Sequence, residues 1–316
     1  MQFVSADFTN FEFFREAALN WELDFRLLSK GGFKAHLSLY TGESIQIGRT
    51  SLNGKIEQHG LIPKGYSTIV LPANPNISYT WLNKKVNGDH ILIFPYDGVL
   101  DSISFDGFDV FVISLEYDYL MRRLEALEYK NAIGLFGKEE KIIRSNPEYI
   151  QSVVKDLDWF LRNQAQRPQE KKDILLERLF LEDLLDVIYA NLENEDSLLF
   201  SPTIKKRDLA VNTAIDIIQY NSENTLNVRE LSALTNVSQR TLEYGFMERF
   251  RITPKQYITA QRHHMVKKDL ISEEYRNLSI FQVAAKYGFW HMGQFAADFK
   301  TQFGVLPSVL RKNYFK

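Results

Sequence analysis

Along residues 33–115 apolar and polar positions alternate in short runs. Phe33, Ala35, Leu37 and Leu39 oppose Lys34, His36, Ser38 and Tyr40, and the runs SIQIGRTS, STIVLP, ISYTWL, HILIFP and FDVFVISL follow. Between them stand Asn53-Gly54, Pro63-Lys64-Gly65, Asn74-Pro75, Asn87-Gly88 and Asp97-Gly98. Alternation with a period of two, broken by turn-forming pairs, predicts the strands of an antiparallel sandwich or small barrel. Ahead of these runs, residues 1–28 scatter Phe3, Phe8, Phe11, Phe13, Phe14, Trp21 and Phe25 among polar residues. They read as a short helix or an extended arm packed on the sheet.

After residue 115 the period lengthens to that of a helix. Glu116–Leu127 is one expected helix, and Glu148–Asn163 is a second, with Ile150, Val153, Val154, Leu157, Phe160 and Leu161 on one face. Lys171–Asn191 is a third, and it continues the stripe of Leu181, Leu184, Leu185, Ile188 and Leu192 at spacings of three and four. That stripe suits either a cover for the sheets or a two-stranded seam between copies of the chain. ENEDSLLFSPT, residues 193–203, is acidic and then carries Ser and Pro, the texture of a linker. The expected organisation is therefore a domain over 1–195, β-rich over 33–115 and helical over 116–192. A linker over 196–204 and a second domain over 205–316 follow.

The second domain keeps the helical period to its end. Val211, Ala214, Ile215 and Ile218 face one side of Ala210–Tyr220. Val228–Leu234, the turn Thr235-Asn236-Val237 and Ser238–Phe250 form a helix pair, with Ser238 placed to cap and Leu242, Phe246 and Phe250 inward. Thr253-Pro254 opens a long helix running to about Ile271. Ile280, Val283, Ala284 and Tyr287 mark the next helix, which Gly288 ends by taking positive φ cheaply. A final stripe of Phe295, Phe299 and Phe303 closes at Gly304, and Pro307 opens another helix. Two helices across a tight turn, the second with a polar outer face, is the plan of a helix-turn-helix, although any αα-hairpin shares that periodicity.

Residue identities separate the two possibilities. The run A-x-x-x-G-F, then F-x-x-x-F-K-x-x-F-G-x-x-P-x-x-x-R, falls on Ala284, Gly288, Phe289, Phe295, Phe299, Lys300, Phe303, Gly304, Pro307 and Arg311. It resembles the C-terminal signature of the AraC/XylS family of bacterial transcription regulators. V-S-x-R-T-L-x-x-x-F, beginning at Val237, is similar to the family's first motif, except that Arg251 stands where the family usually has glycine. The resemblance implies an α+β protein of two domains. Its N-terminal part would be a cupin-like β-barrel or sandwich holding a small-molecule effector. Its C-terminal part would be all-α, with two helix-turn-helix motifs joined by a long helix. It also implies a homodimer, a duplex DNA operator and RNA polymerase as partners, and an activator's role.

Charge agrees with that picture. Residues 204–316 hold 17 Lys and Arg against 10 Asp and Glu, leaving 21 against 30 in residues 1–203. A basic end on an acidic body suits a chain that grips a polyanion. With no cysteine, disulfides and cysteine-based zinc sites are excluded. The first twenty residues lack the basic start and apolar core of a secretory leader, and no apolar run reaches membrane-spanning length. A cytoplasmic location without membrane contact is the expectation.

Base-reading side chains are expected near the start of each recognition helix, pointing away from its core. These are Gln239, Arg240, Glu243 and Tyr244 in the first motif, and His291 and Gln294 in the second. Arginine pairs with both acceptors of guanine and glutamine with adenine, so Arg240 and Gln294 carry most of the expected discrimination. Ser238, Thr241, Lys300 and Arg311 are expected at phosphates, and Arg262 and Trp290 in structural positions. An effector pocket would draw on Tyr79, Trp81, Phe94 and Tyr96, with Arg49 for an anionic group. Two rival readings stay open: a constitutive DNA-binding protein whose barrel only dimerises, and a metal-binding barrel enzyme using His36, His59 and His90. The histidines lack the close His-x-His pair of a metal cupin, and the adjacent His263 and His264 diverge on a helix. No cofactor or metal, and no catalytic set, is expected.

Overall fold

The computed structural model describes residues 2–17, 23–29, 31–96, 98–129, 133–137, 141–166, 184–186, 198–199, 206–220 and 226–315. The chain divides into two compact units. The first comprises Met1–Asp24, Lys34–Asn53 and Gln58–Ser201; the second comprises Phe25–Phe33, Gly54–Glu57 and Pro202–Lys316.

The sheets begin with β1 (Gln2–Phe8), which a short helix α1 (Phe11–Ala17) follows. Next come β2 (Leu23–Leu27), β3 (Ala35–Thr41), β4 (Ile45–Leu52), β5 (Ile56–Leu61), β6 (Tyr66–Pro72), β7 (Ser78–Trp81) and β8 (Lys84–Asn87). β9 (His90–Phe94), β10 (Val99–Ser104), β11 (Phe108–Glu116), β12 (Lys141–Arg144) and β13 (Leu198–Leu199) complete the set. Among the described residues they form two sheets, ordered β1-β3-β4-β11-β6-β9-β12-β13 and β2-β5-β10-β7-β8. The aromatic N-terminus is thus both strand and helix. Leu198 and Leu199, inside the stretch expected as linker, pair with Ile143 and Ile142 and extend the larger sheet.

Register explains where the first core lies. Tyr40 is opposite Ile47, Ile47 opposite Ile113, Ile113 opposite Ile69, and Ile69 opposite Ile93, so one row crosses five strands. That row packs under α2 (Tyr117–Ala126) and α3 (Pro147–Gln166) through Leu120, Leu124, Ile150, Leu157 and Phe160. The Tyr40 ring meets Phe160 edge-on at 5.0 Å. Tyr40 is therefore core, contrary to its place among the polar positions of the first run. Helices cover one side of this sheet and the second sheet faces the other, so alternation no longer separates solvent from core. On that other side Trp81 packs on Phe94 at 4.9 Å and Tyr79 on Phe108 at 5.2 Å.

Leu184 and Leu185 are buried in the helix-covered core. Side chains enclosed there offer no face to a partner chain, so these two leucines are core and not seam. Leu181, Ile188 and Leu192 lie outside the described residues, as does most of Lys171–Asn191.

In the second unit α4 (Lys206–Tyr220) precedes the pair α5 (Val228–Leu234) and α6 (Gln239–Phe250). The long α7 (Pro254–Leu270), the pair α8 (Ile280–Lys286) and α9 (Met292–Phe303), and α10 (Pro307–Tyr314) complete it. Four of these helices start at a side-chain cap. Asn227, Thr253 and Ser279 make capping boxes with Glu230, Gln256 and Gln282, and Ser238 caps α6; each cap contributes ~1 kcal/mol. The first motif buries Leu231, Leu242, Phe246 and Phe250; the second buries Val283, Ala284, Phe295 and Phe299. Helix α7 enters both, with Tyr257 in the former and Val266 and Leu270 in the latter. A β-carbon at Gly245 would lie 2.5 Å from Val211 Cγ2, so glycine is what lets α4 pack onto α6.

Candidate nucleic-acid interface

The turn of the first motif is built from Thr235, whose N–H bonds Leu231 O, and Asn236 in the left-handed region at φ 53°. It delivers Ser238, whose Oγ accepts from Thr241 N at 3.1 Å and lies 2.8 Å from Thr241 Oγ1. From that start Gln239, Arg240, Glu243 and Tyr244 are exposed, while Leu242, Phe246 and Phe250 are buried beneath them. The Arg240 guanidinium lies over the Tyr244 ring at 5.5 Å, with Nη2 3.4 Å from its hydroxyl. Stacking of this kind orders a side chain that would otherwise lose rotamer freedom on meeting a base.

Helix α6 ends at Arg251, which adopts φ 52° and ψ 28° and donates its N–H to Met247 O. The left-handed cap that glycine usually supplies is kept by an arginine here, at a steric cost of about 1–2 kcal/mol. Its carbonyl accepts from Lys55 Nζ at 2.9 Å, within the same unit.

In the second motif Gly288, at φ 81°, turns the chain, and His291 caps α9 without a side-chain bond. His291 and Gln294 are exposed; Gln294 Nε2 donates to Asp298 Oδ2 at 2.9 Å, one turn on. Phe295, Phe299 and Phe303 stack as a buried ladder, with successive centroids 5.6 and 4.6 Å apart. Lys300 is exposed on the outer face.

Two expectations change on this geometry. Arg311 does not point out for a phosphate: its Nη1, Nη2 and Nε donate to Leu278 O, Tyr275 O and Leu270 O at 2.5, 3.1 and 3.5 Å. It ties α10 to the end of α7, and burial lowers its pKa. Trp290, expected in a structural position, is 65% exposed, with its ring set edge-to-face to the half-exposed Phe281 at 6.4 Å. Arg262 does act structurally, donating to Leu226 O at 3.0 Å ahead of the first motif. The adjacent histidines diverge: His263 stacks on Phe289 and bonds Gln302, whereas the His264 ring meets Phe303.

The five effector candidates separate by face. Tyr79, Trp81 and Phe94 lie between the sheets of the first unit, and the first two end in buried polar atoms, Tyr79 Oη and Trp81 Nε1, without a partner among the described residues. Arg49 is not available to an anion, because it bonds Asp109 through Nε and Nη2 at 3.0 and 2.8 Å and Asp158 through Nη1 at 2.5 Å. These carboxylates, Asp109 first, raise its pKa. Its position on β4 alternates it onto the helix-covered side of the sheet. Tyr96 is exposed and packs on Tyr117 at 5.2 Å. Of the barrel histidines, His36 bridges Asp7 and Ser38, and burial lowers the pKa of His90.

Sequence reasoning passed over the two short N-terminal stretches of the second unit, where Glu57 accepts from Tyr257. Glu57 sits on a strand whose alternation reads as ordinary sheet, so no local signal marked it.

A family model described as a helix-turn-helix domain matches residues 231–313. Over 98 residues the chain is 31% identical to the probable thc operon regulatory protein of Rhodococcus erythropolis, covering 31% of this chain and 30% of that protein. It is 29% identical over 125 residues to the XylDLEGF operon transcriptional activator of Pseudomonas putida, covering 40% and 37% respectively. The chain thus spans about a third of the length of the curated relatives it matches. Among solved structures, the AraC-like transcriptional activator CuxR aligns over 83% of this chain and 93% of its own, with a TM-score of 0.44 and 12% identity. ToxT from Vibrio cholerae aligns over 85% and 98%, with a TM-score of 0.31 and 11% identity.

Proposed function

We propose that this chain, whose C-terminal region belongs to the AraC/XylS family of helix-turn-helix domains, is a transcription regulator that reads two segments of one duplex. The observation that carries the reading is the pair of recognition helices. α6 exposes Gln239, Arg240, Glu243 and Tyr244, and α9 exposes His291 and Gln294, each above its own buried aromatic stripe. Arg240 selects guanine and Gln294 adenine; Ser238, Thr241 and Lys300 hold phosphates. The proposed role is activation, as the printed name of the P. putida relative says of that protein, with RNA polymerase as the second partner. The proposed place of action is the cytoplasm; among the described residues no helix is long and apolar enough to cross a membrane.

A small-molecule effector is proposed between the two sheets of the first unit. Leaving a buried donor unpaired costs ~1–3 kcal/mol, and Tyr79 Oη and Trp81 Nε1 are two such donors on one face of β7. Aromatic walls with two donors suit a flat ligand bearing hydrogen-bond acceptors. No dimer seam is proposed at Leu184 and Leu185.

The test is enrichment of bound duplexes from a random pool with the full chain, followed by titration of the selected duplex at several salt concentrations. A shared two-part sequence, with affinity falling steeply as salt rises, is the expected result. Failure to enrich any sequence would remove the assignment.

A further inference from the structure

We propose that Phe25–Phe33 and Gly54–Glu57 brace the two recognition helices of the second unit in one relative orientation, with Glu57 as the positioning residue. Glu57 is 5% exposed, and its carboxylate accepts from Tyr257 Oη at 2.8 and 3.0 Å and from Gln261 Nε2 at 3.3 Å. Arg26 Nη1 lies 3.7 Å away. Tyr257 is fully buried, its ring 5.3 Å from Phe246 and 4.7 Å from Phe250 of α6. The carboxylate therefore holds the first turn of α7 against the core of the first motif.

The same stretches reach the second motif. Leu27 O accepts from Gln302 Nε2 at 2.8 Å and from His264 Nε2 at 3.1 Å, and Gly31 N donates to Thr301 O at 2.8 Å. Gln302 passes the contact on through Oε1 to His263 Nδ1 at 2.7 Å. Together with Lys55 on Arg251 O, these bonds grip the C-terminal end of α6, Tyr257, Gln261 and His264 on α7, and the C-terminal end of α9. Every grip lies away from the reading ends, so Arg240 and Gln294 stay exposed.

Directional bonds at so many points do what apolar packing does poorly. A helix that slides or rotates on an apolar surface loses little, whereas a buried carboxylate whose donors move away is left desolvated and unpaired, a strongly unfavourable state. Two heads reading successive major grooves must keep one spacing and one angle, so a brace that fixes both removes that ordering cost from DNA binding. The proposal rests on the DNA-reading assignment of α6 and α9 for its purpose, while its geometry is measurable without DNA.

The chain contains no cysteine, so Met247→Cys on α6 and Ala297→Cys on α9, both exposed, introduce two unique spin-label sites. Distances between the labels are measured by pulsed electron resonance in the otherwise native full chain, then in Glu57→Ala, Glu57→Gln and Tyr257→Phe backgrounds. A single narrow distance is expected in the native background. It should broaden in Glu57→Ala and Tyr257→Phe, and return in Glu57→Gln, whose amide oxygen still accepts from Tyr257. Tyr257→Phe removes one hydroxyl and serves if Glu57→Ala fails to fold. An unchanged narrow distance in a folded Glu57→Ala or Tyr257→Phe chain overturns the brace. With the selected duplex, Glu57→Ala should lose roughly tenfold or more in affinity for the two-part site while binding each part separately as before. Equal losses on the two-part site and on its single parts would overturn it as well. If the native chain selects no duplex, the DNA assignment fails and the distance measurement still decides the brace.

Discussion

The helical unit and the sheet unit carry their chemistry in opposite ways. In the helix pairs the side chains proposed to meet DNA are exposed or half-exposed and belong to one short stretch each, Ser238–Tyr244 and His291–Lys300. Their partners lie within a turn: Ser238 with Thr241, Arg240 with Tyr244, Gln294 with Asp298. In the sheet unit the notable groups are buried or half-buried and come together from distant stretches. Tyr79 meets Phe108, Trp81 meets Phe94, and Arg49 joins Asp109 and Asp158. An exposed reading face tolerates substitution and costs little stability, so its changes should register in recognition. A buried interior couples every side chain to the fold, so its changes should register first in stability.

The sharpest break between the units should come from Leu185→Asp. A carboxylate placed in the helix-covered core costs several kcal/mol unless it stays protonated, so circular dichroism should show the sheet unit unfolding. A folded variant that differs from the native chain only in sedimentation would instead return Leu185 to a seam between copies.

Next in size is a pH effect confined to the helical unit. Burial, the largest cause, depresses the His264 pKa to about 3, and its Nε2 bonds Leu27 O. The unfolded chain takes up a proton near 6.5. Stability from the neutral ring is therefore complete above that value and lost as pH falls towards 3, at up to ~1.4 kcal/mol per pH unit. Urea midpoints measured across this range should fall, and should fall less steeply in His264→Asn; parallel slopes would assign the acid lability elsewhere.

Arg240→Ala and Gln294→Ala should each relax base preference by ~1–3 kcal/mol at separate parts of the selected duplex, with the melting temperature unmoved. Competition titrations against single-base variants measure this. Uniform weakening on all sequences would make both residues phosphate contacts.

The smallest effect should appear between the sheets. Tyr79→Phe removes a buried hydroxyl that has no partner among the described residues, so the free protein should gain up to ~1 kcal/mol while any bound acceptor ligand is held less tightly. Thermal shifts with and without co-purified ligand read both signs. A loss of stability in the ligand-free protein would mean that the hydroxyl is already satisfied, as by an enclosed water.

Sequence by itself determined most of the helical unit. Caps, glycine stops and the stripe of Phe295, Phe299 and Phe303 act within one or two turns, so Val228–Leu234 and the ends of α6, α7 and α9 were legible in chain order. It also marked β3, β4, β6, β7, β9 and β11, whose alternation and turns are likewise local. Tertiary structure decided what each face meets. Tyr40 passed for a polar position, Arg49 for a free cation, Arg311 for a phosphate ligand and Trp290 for a structural residue, because burial and long-range partners settle each role and neither is written in the local sequence. Glu57 is the extreme case: 200 residues separate it from Tyr257, and only the folded chain brings that carboxylate to a buried hydroxyl. Period and propensity report short-range steric and solvation preferences, whereas long-range pairing is chosen by the summed burial of the whole chain.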